Sequence, residues 1–304
     1  MSDVRSVVVL TNPAAGVGQA DKSARRAVGR LRERGVDVVD VAGNDPQDAR
    51  RIAKAVLDQG PDALVVVGGD GMIHLAVQVM AGRDIPLGVI PAGTGNDVAR
   101  EFGLPRGAPE AAADVVADGH HQPIDLARIT RPDGGHTYFA TVMACGFDSL
   151  VNDRANRMRW PRGRSRYTVA MLAELAALRP LPFRIELADG TTVERELILA
   201  AVGNTRSYGG GMRICPGADP ADGLLDLTLV EAMPRGQLVR FFPTVFSGKH
   251  VEREEVECLR ARSIRVTCPG ITAYADGDFV AELPVEVDVL PASLKLLRPR
   301  PRGR

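Results

Sequence analysis

Two aspartates carry the first chemical signal. Asp70 stands inside Gly68-Gly69-Asp70-Gly71, directly after the apolar residues 64–67. Asp97 closes Pro91-Ala92-Gly93-Thr94-Gly95-Asn96-Asp97, directly after the apolar residues 87–90. A third glycine loop, Thr11-Asn12-Pro13-Ala14-Ala15-Gly16-Val17-Gly18, follows the run 6–10. Glycine lets backbone N–H groups approach phosphate oxygens with no Cβ in the way, and successive N–H groups form anion-holding nests. The helix that follows the 68–71 loop would aim its positive N-terminal end at the same place. Three such loops at corresponding strand ends point to a nucleotide phosphate site. Two carboxylates beside a polyphosphate would repel it unless Mg²⁺ lay between them. The bland alternative is that Asp70 and Asp97 only cap the helices that follow them.

The usual phosphate motifs are absent. No G-x-x-x-x-G-K-[ST] occurs, and neither Gly16-x-Gly18 nor Gly93-x-Gly95 completes G-x-G-x-x-G. These absences argue against a P-loop enzyme and a dinucleotide dehydrogenase.

The elements that must position these loops alternate regularly up to about residue 122. Residues 6–11, 36–41, 62–67 and 86–91 read as strands, the continuous apolar runs expected of a parallel sheet buried on both faces. Helices are predicted over 21–34, 44–60 (capped by Asn44 or Asp45, stopped by Gly60), 72–80, 97–102 and 108–118. This is an open, doubly wound α/β sheet with right-handed crossovers, whose ligands bind at the carboxyl ends of the strands. From 123 to about 290 the pattern changes to short alternating strands separated by Asp-Gly turns, the grammar of an antiparallel β-sandwich. A helical insert near 147–178, with Tyr167, Met171, Leu175 and Leu178 on one face, interrupts it. Residues 291–304 read as a last strand, which could return to the first domain, and a basic tail.

The ordered set "NPAAG", "GGDG" and "PAGTGNDVAR" resembles the diacylglycerol kinase catalytic family of bacterial lipid kinases, related to sphingosine and ceramide kinases. The second half agrees: "CPGADPADGLLDL" and "YADGDFV" are similar to the family's later motifs. The resemblance implies ATP and Mg²⁺ in a cleft between the two domains, and transfer of the γ-phosphate to a lipid hydroxyl, with diacylglycerol the default acceptor. Asn12, Pro13, Ala14, Ala15, Gly16, Gly68, Gly69, Asp70, Gly71, Met72, Ile73, His74, Gly93, Thr94 and Asn96 would line the nucleotide. Asp70, Asn96, Asp97 and Asp276 would organise the catalytic Mg²⁺, and Asp278 matches the general base. Asp219, Asp222 and the Leu224 carbonyl match a structural Mg²⁺ site; read alone, the same residues form an ordinary Asp-Gly turn.

Three positions depart from the family pattern: Met72 replaces a threonine, Ala15 and Val17 replace a serine and a basic residue, and Asp278 replaces a glutamate. They bear on rate and acceptor, and leave two other readings open: a kinase for a sphingoid or other lipid alcohol, or a catalytically weak lipid-binding regulatory protein. An NAD kinase is disfavoured, because that family's Gly-Ser-Thr-Ala-Tyr segment is missing.

Composition bounds the setting. The 304 residues carry zero formal net charge, 45% hydrophobic and 4% aromatic residues, which favours two soluble domains over a nucleic-acid binder. Four scattered cysteines without CxxC spacing read as reduced thiols of a cytoplasmic protein. The stretch 154–166 holds Arg154, Arg157, Arg159, Arg162, Arg164 and Arg166 around Trp160 with no carboxylate, which suits docking on an anionic membrane surface. The expected location is therefore cytoplasmic with peripheral membrane association. The family resemblance is compatible with a homodimer, which no residue here specifies.

Overall fold

The computed structural model describes residues 4–11, 19–158, 160, 169–171, 173–174 and 177–300. The chain begins with β1 (Ser6–Thr11), α1 (Gln19–Glu33), β2 (Asp37–Ala42), α2 (Pro46–Leu57), β3 (Ala63–Gly68), α3 (Asp70–Met80), β4 (Leu87–Pro91), α4 (Asp97–Glu101) and α5 (Pro109–Ala117). The four strands pair in parallel, in the order β4-β3-β1-β2. Their continuous apolar runs have a direct cause. Val8 and Leu10 of β1 pack with α2, α3 and α4, while Val7 and Val9 pack with α1 and α5. Both faces of each strand must therefore be apolar, and Leu64, Val65 and Val66 of β3 are fully buried. Asp45 caps α2, its Oδ1 accepting the N–H groups of Gln47 and Asp48 at 2.8 and 2.9 Å.

The second half contains β5 (His121–Thr130), β6 (His136–Phe139), β7 (Val142–Gly146), α6 (Phe147–Arg157), β8 (Leu181–Leu187), β9 (Thr192–Gly203) and β10 (Leu225–Glu231). It closes with the helix Arg235–Ser247, then β11 (Val256–Ala261), β12 (Ser263–Thr267), β13 (Thr272–Ala275), β14 (Asp278–Glu282) and β15 (Val285–Leu297). All pairings within this half are antiparallel, and its inner faces enclose a core that includes Phe139, Met143, Phe183, Ile185, Leu227 and Ile264. The fold class expected from the sequence is the one observed.

The two halves share strands. β15 pairs antiparallel with β5 from Glu286↔Thr130 to Leu297↔His121, pairs with β12 at its start, and meets β4 in parallel at Leu296↔Leu87. A bulge between Leu290 and Leu294 lets it turn from one half to the other. Asp125 holds that bulge: its Oδ1 accepts the Ala292 N–H and its Oδ2 the Gly223 N–H, each at 2.8 Å. The change of grammar near residue 122 thus falls at the start of a strand common to both halves.

Two helices bear on the sequence expectation. α6 occupies the early part of the insert, and within the expected helix over 167–178 residues 169–171 and 173–174 are helical, while 167, 168, 172, 175 and 176 lie outside the described residues. The helix Arg235–Ser247 was not expected, because Gly236 and Pro243 both disfavour a helix interior. Tertiary burial of Leu238, Phe241 and Val245 overrides that local preference.

One buried carboxyl costs stability. Asp148, in the first turn of α6, has an Oδ2 sealed from solvent with no hydrogen-bond partner, and burial pushes its pKa up to about 7. The folded chain therefore holds a proton there that the unfolded chain has released above the ordinary aspartate range, so stability falls as pH rises toward 7. Asp148→Asn is expected to stabilise the fold at pH 8 by on the order of 2–4 kcal/mol, and negligibly below pH 4. Thermal melts across that pH range check it; equal gains at both ends would reject the buried-charge cause.

Candidate functional site

A cleft of about 1260 Å³ opens at the carboxyl ends of β3 and β4. Its walls come from three distant segments: residues 69–72 with His74, residues 91–96, and the turn 276–279. Lys22, Ser23 and Arg26 of α1, Pro46 and Arg50 of α2, Leu75 of α3, and Gly107 and Pro109 also line it.

The glycines at its floor serve two purposes. A Cβ on Gly93 would lie 2.3 Å from the Gly69 Cα, and one on Gly68 would strike the Met72 side chain at 2.5 Å. Gly68, Gly69 and Gly93 are thus needed so that the two loops and α3 can touch. Gly71 is different: a Cβ there would meet nothing within 4 Å, and it is exposed to the cleft. Gly93→Ala is expected to cost about 1–3 kcal/mol of stability, the usual penalty of overpacking, and to spread the loops. Gly71→Ala should fold normally and lose affinity for Mg·ATP. Melting temperature and ATP titration on both variants check the contrast; a normally folded Gly93→Ala would contradict it.

The carboxylates divide by role. Asp70 accepts the N–H groups of Asn96 and Asp97, both at 2.8 Å, so it caps α4 across the cleft floor and not its own helix. Asn96 adopts φ 55°, ψ 48°, and its side chain closes the loop by accepting from the Gly93 N–H at 3.0 Å and donating to the Gly93 carbonyl at 2.7 Å. Asp97 is buried; its Oδ2 accepts the Gly210 N–H at 2.8 Å, while its Oδ1 has no hydrogen-bond partner and lies 3.8 Å from the Arg100 Nε. Burial raises the Asp70 pKa, the Asp97 charge raises it further, and the two N–H donors oppose this.

Asp276 is engaged by the protein itself. It accepts from the Ala140 N–H at 3.1 Å, the Thr141 N–H at 2.9 Å, the Thr141 hydroxyl at 2.5 Å and His74 Nδ1 at 3.1 Å. Its side chain is only 3% exposed. It thereby ties α3, the β6–β7 connection and the 276–278 turn together, with its own φ at 51°. The sequence reading had Asp276 organising the metal; in the structure it lines the cleft and its hydrogen bonds also clamp the turn. Its neighbour Asp278 is exposed at the cleft. The surrounding protein raises the Asp278 pKa, His74 and Arg50 lower it, and the Asp276 charge raises it. His74 is itself buried; burial disfavours its charged form, but the bond to Asp276 and that carboxylate's charge prevail and raise its pKa.

The remaining expected residues fall as follows. Gly69, Asp70, Gly71, Met72, His74, Gly93, Thr94 and Asn96 line the cleft. Ile73 does not: it is 2% exposed and packs in the core under α3, and Gly68 ends β3 behind the loop. Met72, where a threonine was expected, is 4% exposed and packed in the same core. Asn12, Pro13, Ala14, Ala15 and Gly16 lie outside the described residues, as do Arg159, Arg162, Arg164 and Arg166. Asp219 and Asp222 each accept a local N–H, from Ala221 and Leu224, in an Asx-turn pattern. Arg260 ion-pairs with Asp222 and, at 3.2 Å, with Asp226, so a guanidinium already supplies positive charge there. Among the described residues no group of three or more His, Cys, Asp or Glu side chains could by itself hold a metal ion.

Three contributors were missed in the sequence. Gly210 comes from Gly209-Gly210-Gly211, a glycine run whose signal was visible but unplaced. Lys22 and Arg50 are helix cations that only packing brings to the cleft. Among the described residues neither makes an ion pair, whereas Arg26 pairs with Glu110.

Comparison with known proteins agrees with this architecture. Residues 6–129 match the diacylglycerol kinase catalytic domain, and residues 141–298 match the YegS C-terminal NAD kinase beta sandwich-like domain. The chain is 57% identical over 298 residues to a diacylglycerol kinase of Mycobacterium tuberculosis (strain H37Rv), covering 98% of this chain and 96% of that protein. It is 27% identical to a diacylglycerol kinase of Bacillus subtilis (strain 168), covering 97% of each. Among solved structures, a diacylglycerol kinase from Bacillus anthracis str. Sterne superposes with a TM-score of 0.73 over 98% of each chain; at 20% identity this speaks for the fold. With matched domains in both halves and a relative this similar over nearly its full length, the chain belongs to the diacylglycerol kinase catalytic family of lipid kinases.

Proposed function

We propose that this protein transfers the γ-phosphate of ATP to the free hydroxyl of diacylglycerol, yielding phosphatidic acid and ADP. The observation that carries the reading is the meeting of the 69–72 loop, the 91–96 loop and the 276–279 turn around one cleft, with Asp70 and Asp278 on its walls. The family membership and the 57% identity to a protein named diacylglycerol kinase support the acceptor.

The exposed Gly71 backbone, the N-terminal end of α3 and Lys22, which has no ion pair among the described residues, suit the phosphates. A Mg²⁺ ion fits Asp70, which lines the cleft with each carboxylate oxygen accepting only one N–H, with the buried Asp97 charge close behind it. Mg²⁺ commonly takes one or two carboxylates and completes its shell with phosphates and water. When bound, Mg²⁺ would neutralise charge on the β- and γ-phosphates. Asp278, held in place through the Asp276 clamp, accepts the proton of the acceptor hydroxyl as its oxygen bonds to phosphorus and ADP departs. The Arg50 charge favours the ionised form of Asp278, and Arg50, with no ion pair among the described residues, suits contact with the transferring phosphoryl group.

An acceptor with two acyl chains resides in the bilayer, so the protein works at a membrane surface. Trp160, 82% exposed, supports contact there, and no described helix is long and apolar enough to cross a membrane. Transfer of labelled γ-phosphate from Mg·ATP to a panel of diacylglycerol, sphingoid base and other lipid alcohols in mixed micelles tests the proposal. Labelled phosphatidic acid is expected as the main product. Preferential labelling of another alcohol would overturn the acceptor, and no transfer to any lipid would overturn the kinase reading.

A further inference from the structure

The helix Arg235–Ser247 is apolar on two faces. Leu238, Phe241 and Val245 are buried against the sandwich, in the cluster that contains Ile198, Ala201, Ile214 and Val230. The second stripe, Val239, Phe242, Pro243 and Phe246, follows the i, i+3, i+4, i+7 spacing of a single helix face and points away from that core. Val239 is 60% and Phe246 50% exposed, and Phe242 stands edge-on to Phe246 with ring centroids 6.2 Å apart. A helix that packs one side normally shows water a polar one. Here the outward face is aromatic, and Pro243, which lacks a backbone donor, sits on it.

The charge around that stripe is one-sided. Residues 232–251 include Arg235, Arg240 and Lys249 and no carboxylate. Arg240 and Lys249 are exposed and make no ion pair among the described residues. Several exposed arginines elsewhere on this half are paired, Arg184 with Glu194, Arg195 with Glu231 and Glu257, and Arg260 with Asp222, whereas no carboxylate lies within 232–251 to pair with Arg240 or Lys249. Leu178, at the end of the helical insert, packs on the same cluster as the inner face of this helix, and the insert carries the other large exposed apolar side chains of this half away from the cleft, Trp160 and Val169.

We infer that the outer face of the helix Arg235–Ser247 docks on an anionic lipid surface, its aromatic stripe entering the headgroup boundary and Arg240 and Lys249 meeting lipid phosphates. The inference rests on the lipid-kinase reading, which requires access to a bilayer. An apolar stripe flanked by unpaired cations is the composition of an interfacial helix. Two copies of this chain meeting symmetrically through the face would set like charges against each other, which disfavours a self-association surface.

The test is co-sedimentation of the full chain with phosphatidylcholine vesicles, with and without phosphatidylglycerol. The double variants are Val239→Ser/Phe246→Ser and Arg240→Glu/Lys249→Glu. Wild type should bind the anionic vesicles, and each double variant should bind them about tenfold less or weaker still. Both variants should melt like wild type and phosphorylate a water-soluble, short-chain diacylglycerol at the wild-type rate. Vesicle binding by both variants equal to wild type, or no binding by wild type, overturns the inference. So does a variant that keeps vesicle binding but changes its mass in light scattering, because the face would then join two copies. Failure of wild type to phosphorylate the soluble acceptor would overturn the kinase reading separately, and the vesicle result would still decide the docking.

Discussion

Asp278→Asn is expected to lower kcat for lipid phosphorylation by roughly 10²–10⁴-fold, the range a positioned general base contributes, while Mg·ATP affinity stays near wild type. The side chain lies on the 276–279 turn, opposite the phosphate loop, and is not needed to hold that turn: the bonds to His74, Ala140 and Thr141 are made by Asp276. A structural role would therefore be spared by the substitution, and a chemical one would not. The pH profile gives a second readout. Protein bulk and the Asp276 charge raise the Asp278 pKa, and a base must be ionised to act, so the acid limb of kcat/KM should lie above the ordinary aspartate range. Arg50→Gln removes a charge that favours the ionised form and should move that limb higher still. Steady-state rates of both variants in mixed micelles across the acid range check this. An Asp278→Asn enzyme with wild-type kcat would remove Asp278 from the chemistry.

Asp70→Asn should weaken Mg·ATP binding on the order of 10²-fold, the scale of losing a buried, charged, hydrogen-bonded contact worth a few kcal/mol. The carboxylate accepts two N–H groups, from Asn96 and Asp97. An asparagine offers one oxygen, so one of those donors loses its partner at a cost of about 1–3 kcal/mol of stability. The loss of negative charge also removes the counterpart to a bound cation beside Asp97 and relieves the repulsion that raises the Asp70 pKa. Calorimetric titration of Mg·ATP, with a denaturant midpoint on the same variant, separates the two effects. Full Mg·ATP affinity with reduced stability would leave Asp70 as a cap for α4 and nothing more.

Much of this site was readable along the chain. Gly71, Asp70, Thr94 and Asn96 were recognisable because a strand that ends in glycine must place its loop at the carboxyl edge of a parallel sheet. The reason for each glycine was not. Gly69 and Gly93 are small because two loops touch, and that contact joins residues far apart in sequence. Ile73 was assigned to the ligand through the family resemblance, yet a helix turns successive side chains by about 100° and aims this one into the core.

Local pattern alone determined the two-part architecture, since hydrophobic period is a property of neighbours: β1 and β3 are apolar throughout because both faces are covered, and β8 alternates because one face is open. It also singled out loops and acids that the fold gathers at one cleft, because glycine loops and their acids occur as short contiguous strings. Only the tertiary structure decided how those acids divide their work. Asp276 and Asp278 are two residues apart and equally acidic in sequence, but one points at Thr141 and His74 and the other at the cleft. The same holds for Arg50 and for the outward face of the helix Arg235–Ser247. Whether a cation finds a carboxylate, or an aromatic stripe finds a core, depends on what folding brings alongside, and neither partner is encoded in the residues next to it.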